Sequence, residues 1–406
     1  MAASASIGMS ASASSSTATR SGASQPRDYR LDFFRGLSLF FIFIDHIPAN
    51  PVSYFTLKSF ALNDAAEVFI FISGYTAAMV YGRAVGRDGI LLTTARIYRR
   101  VWTLYVAHLC MFMIYMAEIA YTARHFNNPL FIEDLGVGDF ITRPDETIVK
   151  VLLLQYQPTF LDILPLYMAL LAIFPLLLLA LRRHVLLALV PSMLIYAAAQ
   201  IWQINMPGNE GEGWYFNPFA WQLLFTIAAA FGYASGQGRD MLPSGRWLVV
   251  LAALIAAAGM LIQLSWTSHD LLGMGPQILR RTLWPVDKTS LPLVRIGNVL
   301  ALAVLVARLV PRNAGFLTRP AGWLVVLCGQ HSLEVFALSI LLAVLGNIVL
   351  TLAGRSLGLH LVITACGMLI MIGLALLMSW FAGGGRLPAR PVALAVARTD
   401  GAGGAP

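Results

Sequence analysis

The feature that most constrains this chain is a series of ten apolar segments, each long enough to cross a lipid bilayer. A transmembrane helix needs about 20 consecutive, mostly apolar residues. Of the 406 residues, 58% are hydrophobic and 12% are charged, whereas soluble domains carry about 25% charged residues. We therefore predict an all-α, polytopic membrane protein with about ten transmembrane helices, near 33–55, 65–82, 98–121, 162–181, 185–204, 217–236, 246–266, 292–310, 322–352 and 359–381.

The basic residues indicate how these helices are oriented. If the N-terminus is cytoplasmic, most of the 28 Lys and Arg residues fall in the tails and connections on that same side, as the positive-inside rule requires. Both termini are therefore predicted to be cytoplasmic. Two long outer connections, 124–161 and 267–291, are expected to cover the outer mouth. Because the net charge of +8 follows the membrane loops, the expected partner is the lipid bilayer and not nucleic acid.

The two ends of the chain differ in composition from the part between them. Residues 1–27 are rich in Ser and Ala and lack the apolar core of a secretory signal. We predict disordered tails at 1–27 and 383–406, and one transmembrane domain at 28–382. Within this domain, Gly329-Gln330-His331 interrupts the ninth segment and predicts a short half-helix followed by a full one. The three cysteines show no paired spacing, so no metal site and no permanently bound cofactor are predicted.

Two ionisable residues share one face of the first segment, RLDFFRGLSLFFIFIDHIPAN. Arg35 and His46 are eleven positions apart, about three helical turns and roughly 16 Å along the axis. Ionisable side chains inside a membrane are costly and usually functional, and histidine titrates near neutral pH. The pattern predicts a cation near the cytoplasmic surface and a general base deeper in the span. The alternative is that His46 stabilises the bundle by pairing with a neighbouring helix.

Carboxylates at the start of the second segment are placed to assist His46. A short outer connection makes the first two helices neighbours, so Glu67 or Asp64 reaches the depth of His46 and could orient its imidazole. Asp45 points about 100° away from His46 on the same helix and is a poor partner. Helix capping is the alternative role for Asp64, and the helix dipole also favours an acidic residue in the first turn.

Charged and amide side chains at other segment ends suggest binding sites for substrates. The inner connection carries Arg96, Arg99 and Arg100, a group that suits phosphate, although the positive-inside rule explains any one of them. No Gly-rich phosphate loop is present, so a phosphate-bearing donor such as coenzyme A fits better than a nucleoside triphosphate. At outer ends, an acidic residue and two amides suit carbohydrate hydroxyls, and two cations flank the eighth segment: Asp162, Asn217, Gln222, Lys288 and Arg295.

Six motifs in order resemble a known family. The spacing from Arg35 to His46, the Phe-rich run that ends in Ser73-Gly74-Tyr75, and the basic inner connection resemble the membrane acyltransferase family 3. Within that family, the sequence motifs are similar to those of the OpgC family, which is associated with succinylation of osmoregulated periplasmic glucans. The segments that carry the resemblance are RLDFFRGLSLFFIFIDHIP, DAAEVFIFISGY, LDILPLYMALL, FNPFAWQLLF, DKTSLP and HSLEVFALS.

The resemblance implies an O-acyltransferase of the bacterial inner membrane. An acyl group, succinyl by resemblance, would move from cytoplasmic acyl-CoA, the co-substrate, to a periplasmic glucan or another envelope polysaccharide. It implies that His46 is the catalytic base and that Arg35 is essential on the donor side. Lys288 and Arg295 could bind the free carboxylate of a dicarboxylic acyl group. Direct transfer and an acyl-histidine intermediate both remain open.

Two other classes of function remain open. In a proton-coupled transporter or flippase of a glycan or small anion, the same His, Glu and Arg residues would form the pathway. A non-catalytic membrane scaffold would leave the paired Arg35 and His46 without a role.

Overall fold

The computed structural model describes residues 27–126, 132, 135–243, 245–272 and 287–386. Of the predicted tails at 1–27 and 383–406, residues 1–26 and 387–406 lie outside these ranges. Within the described residues the chain is helical and forms no β-strand, which confirms the all-α class. The helices are α1 (Tyr29–His46), α2 (Ala65–Asp88), α3 (Ile90–Phe126), α4 (Gly138–Thr142), α5 (Pro144–Leu152), α6 (Ile163–Arg183), α7 (Val185–Trp202), α8 (Pro218–Gly236), α9 (Arg246–Leu272), α10 (Leu293–Leu309), α11 (Pro320–Gln330), α12 (Ser332–Ala353) and α13 (Leu357–Ala382).

Membrane-spanning helices dominate the described part of the chain. Seven of its helices are long and apolar enough to cross a bilayer, namely α2, α3, α6, α7, α9, α12 and α13. The other predicted spans coincide with α1, α8 and α10, which are shorter or more polar. The protein is therefore a multi-pass membrane protein, and the total of ten spans stays a prediction.

Two boundaries differ from the expected ones for simple reasons, and one predicted break is present. The first segment is helical only to His46, because Ile47 precedes Pro48 and takes an extended conformation. The third helix is longer than expected and starts at Ile90, directly after Gly89, whose φ of 80° ends α2. The ninth segment breaks at His331 into an 11-residue half-helix and a 22-residue helix, as its sequence predicts.

The start of α1 is fixed by polar contacts that reach into the predicted tail. Asp28 caps the helix by accepting a hydrogen bond from the amide of Arg30. Arg27, which the sequence places in the tail, forms an ion pair with Asp32 at 2.6 Å. Arg30 donates to the carbonyl of Val310 at 2.6 Å. The folded domain therefore includes Arg27.

Close helix crossings hold the first helix against its neighbours. A Cβ added to Gly36 of α1 would lie 2.0 Å from the carbonyl oxygen of Val325 in α11. A Cβ added to Gly329 of α11 would lie 1.8 Å from the carbonyl oxygen of Asp32. Only glycine permits this approach, and small residues are the usual means by which membrane helices pack closely. The crossing places α1 against α2, α11 and α12.

Side-chain contacts define two ends of the bundle. Arg35 of α1 contacts Thr76 of α2, whereas the far end of α1 lies near the start of α2, so the two helices are antiparallel. We call the end with Arg35 the inner end and the end with His46 the outer end, following the predicted orientation. The contact of Glu67 with Arg295 places the start of α10 at the outer end.

Candidate active site

A cavity of about 240 Å³ lies between α1, α2, α3, α6 and α12. Arg35 and Arg100 both line it, together with polar side chains that include Ser73 and Tyr167. The described residues around it include no carboxylate. Two guanidinium groups without a neutralising partner in a largely apolar wall favour an anionic ligand.

Arg35 is held at the inner end of this cavity by one hydrogen bond. Its Nη2 donates to the hydroxyl of Thr76 at 2.7 Å, and that hydroxyl donates in turn to the carbonyl of Ile72 at 2.7 Å. The other donors of the Arg35 guanidinium make no hydrogen bond to a described residue. The sequence predicted Arg35 as a donor-side cation, and the structure leaves most of its donors free to bind a ligand.

The three arginines of the inner connection have different surroundings. Arg100 lines the cavity, whereas Arg96 and Arg99 are exposed near its inner mouth. Arg96 forms an ion pair with Asp88, which also pairs with Arg87 at 3.0 Å. Arg96, one of the three cations expected to bind phosphate, is therefore already neutralised by Asp88. Arg99 and Arg100 have no acidic partner among the described residues.

The cavity extends along α2 from Tyr81 to Phe69. Twelve residues separate these two positions, which corresponds to about 18 Å of helix. Phe69 is two positions from Glu67 and packs against Phe336 of α12 with ring centroids 6.4 Å apart. The cavity therefore connects the inner arginines with the depth at which the carboxylates and His46 begin.

His46 ends α1 and stacks on Phe160. The ring centroids are 4.2 Å apart with an angle of 28° between the planes. Among the described residues, Nδ1 of His46 is buried with no hydrogen-bond partner, whereas Nε2 is not one of the buried atoms that lack a partner. Phe160 has a φ of 73°, a left-handed conformation that is unfavourable for a bulky residue. Such strain persists where the surrounding structure enforces it, often at functional sites.

Asp45 turns away from its neighbour, as its helical position predicts. Its carboxylate accepts a hydrogen bond from Thr56 at 2.8 Å and pairs with Lys58 at 3.2 Å. Both partners belong to the connection between α1 and α2. Asp45 therefore anchors this connection over the outer end of α1, next to His46.

The predicted pairing of His46 with Glu67 or Asp64 is not formed among the described residues. Glu67, whose exposure is 0%, accepts a hydrogen bond from Arg295 and another, at 3.0 Å, from the amide of Asp64. Asp64 caps α2 by accepting from the amide of Ala66 at 2.8 Å. The two residues form a capping box, so their carboxylates are engaged in stabilising α2.

Lys288 and Arg295 complete this group as partners of the two carboxylates. Lys288 pairs with Asp64 at 2.5 Å, and Arg295 lies 3.7 Å from the same carboxylate. Burial alone would raise the pKa of Asp64, but Lys288, a hydrogen bond with Glu67 and Arg295 together outweigh it and hold that pKa below its usual value. The charges of the two cations and the two carboxylates cancel. Lys288 and Arg295 are therefore already paired and are not free for their predicted role, which was to bind an acyl carboxylate.

The three residues predicted to bind the acceptor also have different surroundings. Asp162 lies at the outer end of α6, where Lys288 and Asp64 act on it electrostatically. Asn217 caps α8, accepting from the amide of Phe219 and donating to a loop carbonyl. Gln222 is buried and bonded twice to Ser192 of α7. Of these three residues, only Asp162 lies beside the charged group at the outer end. The side chains of Asn217 and Gln222 are engaged in hydrogen bonds that stabilise α8 and its packing.

Several residues of the site could not be found from the sequence. Phe160 lies in a long outer connection with no recognisable motif. Thr76 and Tyr167 are ordinary residues of apolar helices that become part of the cavity only when α2 and α6 pack. Helical spacing could have shown one relation, because Ser73 and Thr76 lie on one face of α2. Among the described residues no cluster of three or more possible metal ligands occurs.

The fold and the site together define a multi-pass membrane protein with an arginine-lined cavity that leads toward a histidine at the opposite end. The chain belongs to the OpgC family, because the model described as OpgC protein matches residues 27–383. At the level of this family it is a glucan-modifying acyltransferase of the OpgC type. A comparison with curated proteins and one with solved structures found no match.

Proposed function

We propose that this protein transfers an acyl group from cytoplasmic acyl-CoA to a hydroxyl of a periplasmic glucan or another envelope polysaccharide. The observation that carries the proposal is the cavity. It has unneutralised Arg35 and Arg100 at one end and reaches Phe69, near the depth of His46, at the other. An anionic donor can therefore bind on one side of the membrane while its acyl group lies close to an acceptor on the other.

The size of the cavity limits which part of the donor it holds. Pockets for drug-sized ligands measure about 300–1,000 Å³, and this cavity measures about 240 Å³. A narrow chain such as the pantetheine arm fits this volume, whereas the nucleotide does not. In this proposal the nucleotide phosphates stay at the inner mouth with Arg99 and Arg100, and with Arg96 when it releases Asp88.

The transfer step uses His46 as a general base. Its Nε2 takes the proton from the acceptor hydroxyl as the oxygen forms a bond to the thioester carbonyl carbon. The carbon–sulfur bond then breaks, and the proton passes from His46 to the thiolate that leaves. General-base catalysis of this kind contributes about 10²–10⁴-fold in rate. Stacking on Phe160 fixes the plane of the His46 imidazole. A carboxylate was expected to orient the imidazole instead.

The acyl group and the membrane are proposed on the family resemblance. Succinyl-CoA is the proposed donor and the bacterial inner membrane is the proposed location. Lys288 and Arg295 are paired with Asp64 and Glu67, so neither of these two is free for the carboxylate of a succinyl group. Arg35 and Arg100, which line the cavity, are the cations that this proposal leaves for the donor.

The test uses the full chain in detergent with labelled succinyl-CoA and a glucan acceptor. We expect His46→Ala to lower transfer at least 100-fold and Arg35→Ala to raise the KM for the donor. His125→Asn is the matched control, because this histidine is exposed at the end of α3 and should leave transfer unchanged. Near-normal transfer by His46→Ala would overturn the mechanism.

A transporter or flippase is the alternative function. The observation that favours it is the buried group of Asp64, Glu67, Lys288 and Arg295, since intramembrane charge networks are typical of proton-coupled carriers. Such a protein would neither transfer the acyl group nor hydrolyse the thioester. Release of free CoA in the same assay therefore separates the two functions.

A further inference from the structure

Two hydroxyl groups on the wall of the cavity have no role in the transfer step described above. Ser73 of α2 and Tyr167 of α6 both line the cavity, and neither hydroxyl makes a hydrogen bond to a described residue. Ser73 is buried, with an exposure of 3%, and Tyr167 is half-buried. Buried hydroxyls are nearly always hydrogen-bonded to protein or to water. Both hydroxyls are therefore free to bind a molecule inside the cavity.

Thr76 shows how a hydroxyl on the same face of α2 is satisfied within the protein. Its oxygen accepts a hydrogen bond from Arg35 and donates to the carbonyl of Ile72, four residues earlier. Such a bond to the preceding turn is the usual local partner of a helical Ser or Thr. The carbonyl of Phe69 stands in the same relation to Ser73, yet the Ser73 hydroxyl makes no bond to it. The hydroxyl of Ser73 thus remains available to the cavity, whereas that of Thr76 does not.

The side chain of Tyr167 extends along the cavity between its outer and inner parts. The ring packs edge-to-face with Phe69, with centroids 6.4 Å apart and an angle of 78°. The phenol interacts electrostatically with Arg35 and with Tyr81. Ser73 lies one turn inward from Phe69 on α2, about 6 Å by helical rise. The two free hydroxyls therefore lie in the stretch that joins the inner arginines to the outer part of the cavity.

We propose that Ser73 and Tyr167 bind an amide group in the pantetheine arm of the acyl donor. A hydroxyl can both donate and accept a hydrogen bond, so one donates to the amide carbonyl oxygen and the other accepts from the amide N–H. A trans amide carries these two groups on opposite sides, which suits hydroxyls from two different helices. This inference rests on the proposed function, because it requires the donor to enter the cavity from the inner end. Its consequence is specificity for an acyl thioester on an amide-containing arm.

The test separates the arm of the donor from its nucleotide. Acyl transfer by the full chain in detergent is inhibited with CoA and, separately, with 3′,5′-ADP, which lacks the arm. For Tyr167→Phe and for Ser73→Ala we expect the inhibition constant of CoA to rise about three- to tenfold, as for loss of one hydrogen bond. The constant of 3′,5′-ADP should stay at the wild-type value. The KM for succinyl-CoA should rise by a similar factor with kcat little changed, whereas Arg100→Ala should weaken inhibition by both compounds.

Tyr233→Phe is the matched control. Tyr233 of α8 is also half-buried and its hydroxyl makes no hydrogen bond to a described residue, but it is not part of the cavity wall. All three constants should therefore stay at their wild-type values in this variant. Each substitution removes a single hydroxyl, and the unfolding temperature without ligand checks that every variant folds.

Two results would overturn the inference while leaving the proposed function intact. The first is an unchanged KM and an unchanged CoA constant in both Tyr167→Phe and Ser73→Ala, which would mean that the two hydroxyls bind only water. The second is an equal weakening of CoA and 3′,5′-ADP, which would mean that they act on the nucleotide. If the wild type itself neither transfers an acyl group nor releases CoA, the proposed function fails, and the role of the two hydroxyls fails with it.

Discussion

The buried contact between Glu67 and Arg295 offers the sharpest single test of how the outer end works. Glu67 is fully buried and Arg295 has a side-chain exposure of 11%. Replacing Glu67 by Leu leaves the guanidinium of Arg295 with only the carboxylate of Asp64, 3.7 Å away. Removing one partner of a buried ion pair costs about 3–5 kcal/mol. Loss of half of the capping box adds about 1 kcal/mol.

The double variant decides between the two roles considered for Glu67. In Glu67→Leu with Arg295→Met both charges are absent, so most of the lost free energy of unfolding should return. If Glu67 serves only the ion pair and the cap, as its contacts indicate, the double variant should also keep transfer activity within about tenfold. If Glu67 instead orients His46, stability returns and activity does not.

Unfolding by titration with sodium dodecyl sulfate measures the free energy of unfolding, and acyl transfer is assayed on the same preparations. The matched control is Asp240→Leu, which breaks a pair with Arg308 at 3.5 Å whose side chains are 67% and 27% exposed. Exposed pairs contribute about 0–1 kcal/mol. The reasoning is refuted if Asp240→Leu costs as much as Glu67→Leu, or if the double variant is as unstable as the single one.

Two further substitutions test the helix crossing and the imidazole stack. Gly329→Ala should destabilise the fold by about 2 kcal/mol or more, because the added Cβ would lie 1.8 Å from the carbonyl oxygen of Asp32. The control is Gly373→Ala, since Gly373 has open space around it. Its free energy of unfolding should stay within about 1 kcal/mol of the wild type in the same titration. Phe160→Gly relieves the backbone at a φ of 73° but removes the ring that stacks on His46, so we expect unfolding to change little and kcat to fall. Unchanged kcat in Phe160→Gly would show that the stack does not position the imidazole.

Much of the fold could be predicted because a bilayer leaves few choices. Backbone groups in hydrocarbon must be hydrogen-bonded internally, so long apolar segments become helices wherever they occur. The break at His331 was visible for a similar local reason. These features depend on composition and on backbone chemistry within a few residues, which a sequence displays directly.

The contacts of the site depended instead on which helices pack together. Glu67 and Arg295 are 228 positions apart, and their pairing arises only when α10 packs beside α2. The sequence placed Glu67 at the right depth but could not show that a cation from a distant helix would occupy it. Asn217 and Gln222 likewise seemed free for a sugar until the structure showed the hydrogen bond of Asn217 to a loop carbonyl and that of Gln222 to Ser192 of α7.

The amino-acid sequence by itself determined that this chain is a membrane protein, and that an arginine and a histidine lie about 16 Å apart on one helix. Helical periodicity and the cost of burying charge suffice for both statements. The tertiary structure alone decided that Arg35 opens into a cavity with Arg100 and that Phe160 stacks on His46. These relations join residues from separate helices, and only packing brings separate helices together.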